Sequence, residues 1–246
     1  MPHSPRNMDN SLMLDLKNFL DNNDFVAMYK SYDWGNDNFR NGFRDILDLE
    51  IQLSKSLNRQ GIRLEDVKAI ARWGRLRNPK RISGKEIVLD QKLLNILSDE
   101  ENMLLASYPT LPLCALQESI TKGIGPTYFS KILLFAFPEE YGAIDTRCVR
   151  VFGKGDLKSQ QHDWINLRAR NNGYGWYIPA YQADWPSGYG LWIDILRFFS
   201  EQLSIRSINC PHPSAFIQEG LRSPNMWACA DVQTALFAYA SSIINR

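Results

Sequence analysis

Apolar side chains recur at helical spacing over most of this chain, and convincing alternation with a period of two residues is absent. Leu12, Leu16, Phe19 and Leu20 show the helical pattern near the start, where it predicts one helix over residues 11–30. Similar patterns predict further helices near residues 43–58, 64–73, 90–107, 163–170 and 230–244. One short strand is expected at residues 86–89. The chain is therefore predicted to be all-α, that is, predominantly helical.

The middle of the chain carries a glycine hairpin between two predicted helices. An apolar stripe within residues 113–120 marks the first helix. Gly123 then falls where a helix cap needs a positive φ angle, and Gly125 follows two residues later. Pro126 suits the first position of the second helix, whose apolar stripe ends before Pro138. We predict a helix, a tight turn and a second helix.

The start of the second helix is suited to binding a DNA phosphate. Its first N–H groups have no partner within the helix, and the positive end of the helix dipole lies at the same place. Such an end binds phosphate without a charged side chain. We assign DNA contacts to Lys122, Gly123, Ile124, Gly125 and Thr127. The alternative is an ordinary glycine-capped hairpin with no ligand, because short glycine motifs recur by chance.

One aspartate follows the second helix after a short loop. Asp145 lies between an apolar pair and a helical pattern at residues 146–152, with Gly153 as the expected C-terminal cap. A carboxylate at this point could act in chemistry beside the hairpin. Its plainer role is to cap the following helix, which is very common for aspartate.

The segment at residues 112–153 resembles the signature of the helix-hairpin-helix DNA glycosylase superfamily, which includes endonuclease III and 8-oxoguanine DNA glycosylase. The Gly123-Ile124-Gly125 hairpin, a loop with one proline and one glycine, and Asp145 at the family's spacing carry the likeness. A second resemblance is to bacterial proteins with an 8-oxoguanine glycosylase fold. It lies in residues 130–135 and 230–238.

The resemblance implies a single unit of two helical lobes over residues 1–246. It also implies an enzyme that flips a modified base out of double-stranded DNA and cleaves its N-glycosidic bond. That cleavage builds positive charge on the sugar, and Asp145 would stabilise the charge near C1′. The base could be an oxidised purine such as 8-oxoguanine, or another modified base. DNA repair and antiviral defence against phages with modified bases remain open alternatives.

The chain departs from the family at the lysine nucleophile. Members that also nick the strand carry a lysine one turn into the second hairpin helix, and this amine forms a Schiff base with C1′. Thr127 occupies the matching position, which favours water as nucleophile and a monofunctional enzyme. Lys131 lies four residues further on the same helix face and is a second candidate catalytic residue. The alternative places Lys131 on the solvent or phosphate face.

No cofactor is expected from the cysteines and histidines. The iron–sulfur cluster of some family members needs four closely grouped cysteines, whereas the four cysteines here are scattered. His3, His162 and His212 form no ligand cluster in the sequence, so we predict no metal ligands. The resemblance allows a monovalent cation at the hairpin. Dispersed cysteines also suit a reducing cytoplasm.

The net charge is only +1, but the basic residues are clustered. Six lie between residues 72 and 85 with no acidic residue among them. Four more follow Asp145, and of these we assign phosphate contacts to Arg147 and Arg150. Solvated faces that are balanced by acidic residues elsewhere are the alternative.

Seven tyrosines and tryptophans lie between residues 174 and 192, interleaved with glycine and proline. Aromatic faces stack on flipped bases, so we assign Trp176 and Trp185 to the base pocket. The alternative is that these rings fill the seam between the two lobes.

At 246 residues with 44% hydrophobic content, the chain can bury a full core. No apolar run is long enough to cross a membrane, and residues 1–11 lack a secretory signal. We expect a cytoplasmic monomer that acts on double-stranded DNA. Two other hypotheses are a non-catalytic DNA-binding helix-hairpin-helix protein and a helical interaction protein without a DNA role. Asp145 argues against a mere DNA-binding protein, which has no need of that carboxylate.

Overall fold

The computed structural model describes residues 8–58, 61–90 and 109–245, and this part of the chain is mostly helical. Its α-helices are α1 (Asn10–Asn22), α2 (Phe25–Lys30), α3 (Arg44–Leu57), α4 (Leu64–Trp73), α5 (Leu111–Ser119), α6 (Pro126–Ala136), α7 (Thr146–Phe152), α8 (Ser187–Ile205), α9 (Ser214–Gln218) and α10 (Cys229–Ile244). Short 3-10 helices cover Phe39–Asn41 and Pro79–Arg81. The predominantly helical prediction is therefore confirmed for the described residues.

Short antiparallel strand pairs connect the helices. The pairs are β1 (Asp33–Trp34) with β2 (Asp37–Asn38), β3 (Gly61–Arg63) with β5 (Ile87–Asp90), β4 (Ser83–Gly84) with β6 (Ile120–Lys122), and β7 (Arg170–Asn171) with β8 (Trp176–Tyr177). The strand expected at residues 86–89 is β5. The helix predicted near residues 90–107 lies outside the described residues, apart from Asp90 at the end of β5.

Two sequence predictions of helices are wrong. The single helix expected over residues 11–30 is two helices, because Asn23 is extended and Asp24 caps α2 by accepting the N–H of Ala27 at 3.0 Å. Residues 163–170 are not helical, because their backbone bonds go to another segment. Lys154 donates its N–H to the Leu167 carbonyl, and its own carbonyl accepts the N–H of Ala169.

The buried apolar side chains form a hydrophobic core around the central helices. The last helix, α10, packs against α2, α7 and α8, so that both ends of the described chain share the core. On the other side, α6 packs against α3, α4 and α5. The described residues include no helix with the length and apolar character that crossing a membrane requires.

Candidate active site

A surface cleft of about 460 Å³ opens beside the glycine hairpin. Its walls come from Trp34, the turn after α4, the hairpin with the first turns of α6, the start of α7, and residues 176–178. Lys131 and Asp145 both line it. The fold therefore brings the predicted hairpin and both candidate catalytic residues to one opening.

The hairpin turns from a strand into a helix. Gly123 has a φ angle of +98°, and a Cβ there would lie 2.8 Å from the Ile82 Cα, so only glycine fits. It was predicted to cap a helix, but β6 separates it from α5. Gly125 is the N-cap residue of α6, and a Cβ there would meet nothing within 4 Å. No described side chain caps α6. Pro126 has no N–H, and the N–H groups of Tyr128 and Phe129 donate to the Gly125 carbonyl, so the Thr127 N–H is the one that the first turn of α6 offers to an anion.

Asp145 caps a helix and also faces the cleft. Its Oδ1 accepts the N–H of Arg147 at 3.0 Å, which makes it the N-cap of α7, as the plainer alternative held. Its Oδ2 lies 3.7 Å from Lys131 Nζ. The preceding residue, Ile144, donates its N–H to the buried Ser130 Oγ at 3.0 Å. This bond ties the loop before Asp145 to α6. The Asp145 carboxylate therefore has two roles, because Oδ1 caps α7 while Oδ2 faces Lys131.

Lys131 is buried in the cleft wall, so the alternative that it faces solvent or phosphate is wrong. Its Nζ lies 5.2 Å from the ring centre of Tyr128, 5.3 Å from that of Trp73 and 5.7 Å from that of Trp34. Burial lowers the pKa of the Lys131 ammonium group, against the opposing effect of the Asp145 carboxylate. A lowered pKa favours the neutral amine, which is the form that attacks carbon.

We call the three rings around Lys131 the aromatic cage, and hydrogen bonds hold two of them, Tyr128 and Trp73. The Tyr128 hydroxyl donates to the Gly74 carbonyl at 2.8 Å. The Trp73 Nε1 donates at 2.7 Å to Oδ2 of the buried Asp37. Gly74 has no room for a side chain, because a Cβ would lie 2.7 Å from Tyr128 Cε1 and 3.3 Å from Lys131 Nζ.

The aromatic cage was not predicted from the sequence. Tyr128 could have been found, because it lies three residues before Lys131 and so shares a helix face with it. Trp34 and Trp73 carry no such signal, since they reach Lys131 from distant parts of the chain.

The aromatic residues between positions 174 and 192 divide between the cleft and the core. Trp176 and Tyr177 line the cleft. Trp185, the other predicted pocket residue, is not among the residues that line it. Its buried ring belongs to the hydrophobic core and lies 6.0 Å from that of Tyr189 between ring centres, which does not fit the predicted base pocket.

Two of the buried rings support the loop that leads to Asp145. The Tyr189 hydroxyl donates to the Gly142 carbonyl at 3.2 Å. The Trp192 Nε1 donates to the Ala143 carbonyl at 3.1 Å. Helix α8 therefore fixes the backbone just before the candidate catalytic carboxylate.

The two arginines predicted to contact phosphate make contacts within the protein. The Arg147 guanidinium lies 5.3 Å from the Trp34 ring centre. Arg150 Nε pairs with Asp156 Oδ2 at 2.7 Å, and its guanidinium lies 4.4 Å from the Trp176 ring centre. Each arginine therefore braces a tryptophan of the cleft.

An exposed basic strip runs beside the cleft. Its members are Arg72, Arg75, Arg77, Lys80, Arg81 and Lys85. Within the described part of the chain, none of these side chains pairs with a carboxylate. Pairing of β4 with β6 places Ser83 opposite the exposed Lys122, so the strip is continuous with the hairpin. Such a surface favours a polyanion.

A second, larger cavity of about 760 Å³ lies elsewhere on the surface. Asp15 and Asp163 are its charged lining residues, together with His162 as a further titratable group. Acidic walls disfavour phosphate, so this cavity is a poor nucleic-acid site.

A cluster of possible ligand atoms lies apart from the cleft, contrary to the prediction that the histidines join no such group. One atom each from Cys210, His212 and Asp231 lies within 4.8 Å of the other two. We call this group the Cys-His-Asp cluster. The sequence separates Asp231 from the other two residues, so only the fold reveals it.

No family model, no curated protein and no solved structure matches this chain. The likeness to DNA glycosylases therefore stands on the residues of the 112–153 segment themselves.

Proposed function

We propose that the protein is a DNA N-glycosylase that removes a modified base from double-stranded DNA through Lys131 and Asp145. The observation that carries the proposal is the 3.7 Å separation between Lys131 Nζ and Asp145 Oδ2 in a cleft beside the glycine hairpin. A protein that only binds DNA has no need of a buried amine and carboxylate at that point. We also propose that the chain folds as two helical lobes, as DNA glycosylases of this superfamily do, and that the cleft lies between the two lobes.

DNA would lie across the hairpin and the basic strip. The open start of α6 would hold one phosphate, and the strip would hold its neighbours, which gives binding without sequence preference. A base flipped out of the duplex would enter the cleft and stack on Trp176 or Tyr177. The cleft volume of about 460 Å³ lies within the range of about 300–1,000 Å³ for small-molecule sites, so a base with added substituents fits.

Lys131 is favoured over water as the nucleophile, although Thr127 occupies the usual lysine position. The neutral amine attacks C1′ while the C1′–N bond to the base breaks, and the base leaves with the bonding electrons and takes up a proton. Asp145 accepts the proton that Nζ loses and stabilises the positive charge on the sugar. The resulting N,O-acetal opens as the C1′–O4′ bond breaks and O4′ takes up the proton that Asp145 holds. The protonated Schiff base that forms is a cation, which the faces of the aromatic cage stabilise. A base then removes a C2′ proton while the 3′ phosphate leaves C3′ with its bonding electrons, which nicks the strand.

The test is a trapping and cleavage assay on end-labelled duplexes that carry a panel of modified bases, including 8-oxoguanine and bulky phage bases. We expect breaks without alkali and a borohydride-trapped protein–DNA adduct. Lys131→Met should lose the adduct while its apolar side chain still fills the aromatic cage. Asp145→Asn should lose both base release and the adduct. Lys17→Ala, on the exposed face of α1, serves as the lysine control and should react normally.

Two other results would point elsewhere. Breaks that appear only after alkali, with no adduct and with activity kept in Lys131→Met, would establish water as the nucleophile. If no duplex of the panel loses a base while Asp145→Asn keeps salt-sensitive binding, the non-catalytic DNA-binding hypothesis would be favoured instead.

A further inference from the structure

The Cys-His-Asp cluster is closed to solvent and closely spaced. Cys210 Sγ lies 3.5 Å from His212 Nδ1, and the same nitrogen lies 3.8 Å from Asp231 Oδ2. The His212 and Asp231 side chains are 1% and 5% exposed, and Cys210 is also buried. Three ligand types for a transition metal therefore meet in one enclosed place.

The hydrogen bond of His212 Nε2 determines which form of the other ring nitrogen, Nδ1, faces the cluster. His212 Nε2 lies 2.6 Å from the Met226 carbonyl oxygen, which can only accept, so Nε2 carries the hydrogen. In the neutral ring, Nδ1 then presents a lone pair to Asp231 Oδ2. These two buried acceptors face each other at 3.8 Å, and a metal ion between them would bind both.

We infer that the Cys-His-Asp cluster binds a divalent transition-metal ion, with Zn²⁺ the best match to sulfur, nitrogen and oxygen ligands. Bonds of 2.0–2.3 Å in a tetrahedral site place ligand atoms about 3.3–3.6 Å apart, close to the separations of 3.5 and 3.8 Å found here. The bond from His212 to Met226 is the kind that orients a ligating histidine. A water molecule supplies the fourth ligand.

The charges around the cluster also favour a cation. Arg222 pairs with Glu50 through two bonds of 2.7 and 2.9 Å, and its Nε lies 3.2 Å from both oxygens of Asp231. With both carboxylates ionised, this buried group carries a net charge of −1. Adding Zn²⁺ and the Cys210 thiolate brings the total to zero. Asp231 Oδ2 also accepts the N–H of Ala228 at 3.0 Å, and it shares the Arg222 Nε–H with Oδ1, so a metal bond from Oδ2 would leave that Nε–H to Oδ1 alone.

The ion would hold the start of α10 to a loop on its flank. Cys210 already pairs with Asn225 through a backbone bridge, and Asp231 lies in the first turn of α10. The first N–H groups of that helix donate to the carbonyls of Glu139 and Pro138, in the loop that leads to Asp145. The role of the metal is therefore structural.

The experiment measures metal directly and does not depend on activity. The protein is purified from zinc-supplemented cells, and its zinc content is measured by mass spectrometry. After chelation it is titrated with Co²⁺, whose thiolate bond gives a charge-transfer band. We expect about one zinc per chain, a cobalt band, and a fall in melting temperature on chelation. Cys210→Ser should lose the band, and His212→Gln should bind at least tenfold more weakly. Cys114→Ser, at a partly exposed cysteine, should keep both.

The wild-type titration decides the matter if the variants fail to fold. A wild-type protein that holds no zinc and gives no charge-transfer band with Co²⁺ would overturn the inference. In that case the Cys210 thiol simply donates to His212 Nδ1. A band that persists in folded Cys210→Ser would also overturn it.

Discussion

A methyl group at Gly74 tests whether the position of Lys131 sets the reaction rate. Gly74 has a φ angle of −70°, which any residue adopts, so alanine introduces no backbone strain. Its Cβ would lie 2.7 Å from Tyr128 Cε1 and 3.3 Å from Lys131 Nζ. Gly74→Ala therefore acts by pushing on the aromatic cage and the amine.

The size of the effect follows from these distances. Favourable carbon–carbon contacts begin at about 3.5 Å, so the Tyr128 ring must move by about 0.8 Å. A misplacement of about 1 Å at a reacting group costs about 10²-fold in rate. We expect the single-turnover rate constant of Gly74→Ala to fall about 10- to 100-fold. Overpacking should cost about 1–3 kcal/mol in the free energy of unfolding, which leaves the variant folded.

The assay is single-turnover base release with enzyme in excess, beside a measurement of DNA affinity. Gly125→Ala is the matched glycine variant, because its Cβ meets no protein atom but lies where a phosphate would approach. We expect Gly74→Ala to lower the rate with unchanged affinity, and Gly125→Ala to lower affinity with little change in rate at saturation. A folded Gly74→Ala protein with the wild-type rate would refute the reasoning.

Three further outcomes are expected. Because the pKa of Lys131 is lowered by burial from its ordinary value of 10.5, adduct trapping should rise with pH and level off below pH 10.5; a rise through that value would contradict it. Arg222→Met leaves two carboxylates buried without their partner and should cost about 3–5 kcal/mol in urea unfolding, and a loss under 1 kcal/mol would count against the argument. Burial raises the pKa of Asp156, but hydrogen bonds from Arg150 and Ser159 outweigh it, so the net pKa lies below 3.8. Asp156→Asn should therefore lose about 1.5–3 kcal/mol at neutral pH, and denaturation at several pH values should show the difference disappearing only as the pH falls below 3.8.

The helices with strong local signals were predictable from the sequence. Pro126 opens α6, and α10 has an uninterrupted apolar stripe close to its predicted bounds. Helix α8 was not predicted, because Gly188 and Gly190 interrupt its pattern. A Cβ at Gly188 would lie 2.7 Å from Leu167 Cγ, so tertiary packing, which leaves no local trace, explains that glycine.

The candidate site was predictable only where it is local in sequence. The hairpin and Asp145 fall within one short segment, so their spacing could be recognised. Trp34 and Trp73 could not be assigned to the aromatic cage, because nothing in the sequence around them points to Lys131. Arg150 was assigned to phosphate because its charge is evident from the sequence. The sequence does not show that this charge is paired with the buried Asp156.

The packing of both ends of the described chain into one core has a consequence for protein synthesis. The Arg147 guanidinium that braces Trp34 also lies 5.2 Å from the ring of Phe237, in the last helix. At about 5–20 residues per second, a ribosome adds Phe237 about 10–40 s after Trp34. The nascent chain therefore carries Lys131 and Asp145 for some time before the wall of the cleft can form around them. A polypeptide that stalls or is cut before α10 would hold the reactive pair but lack the support that positions it.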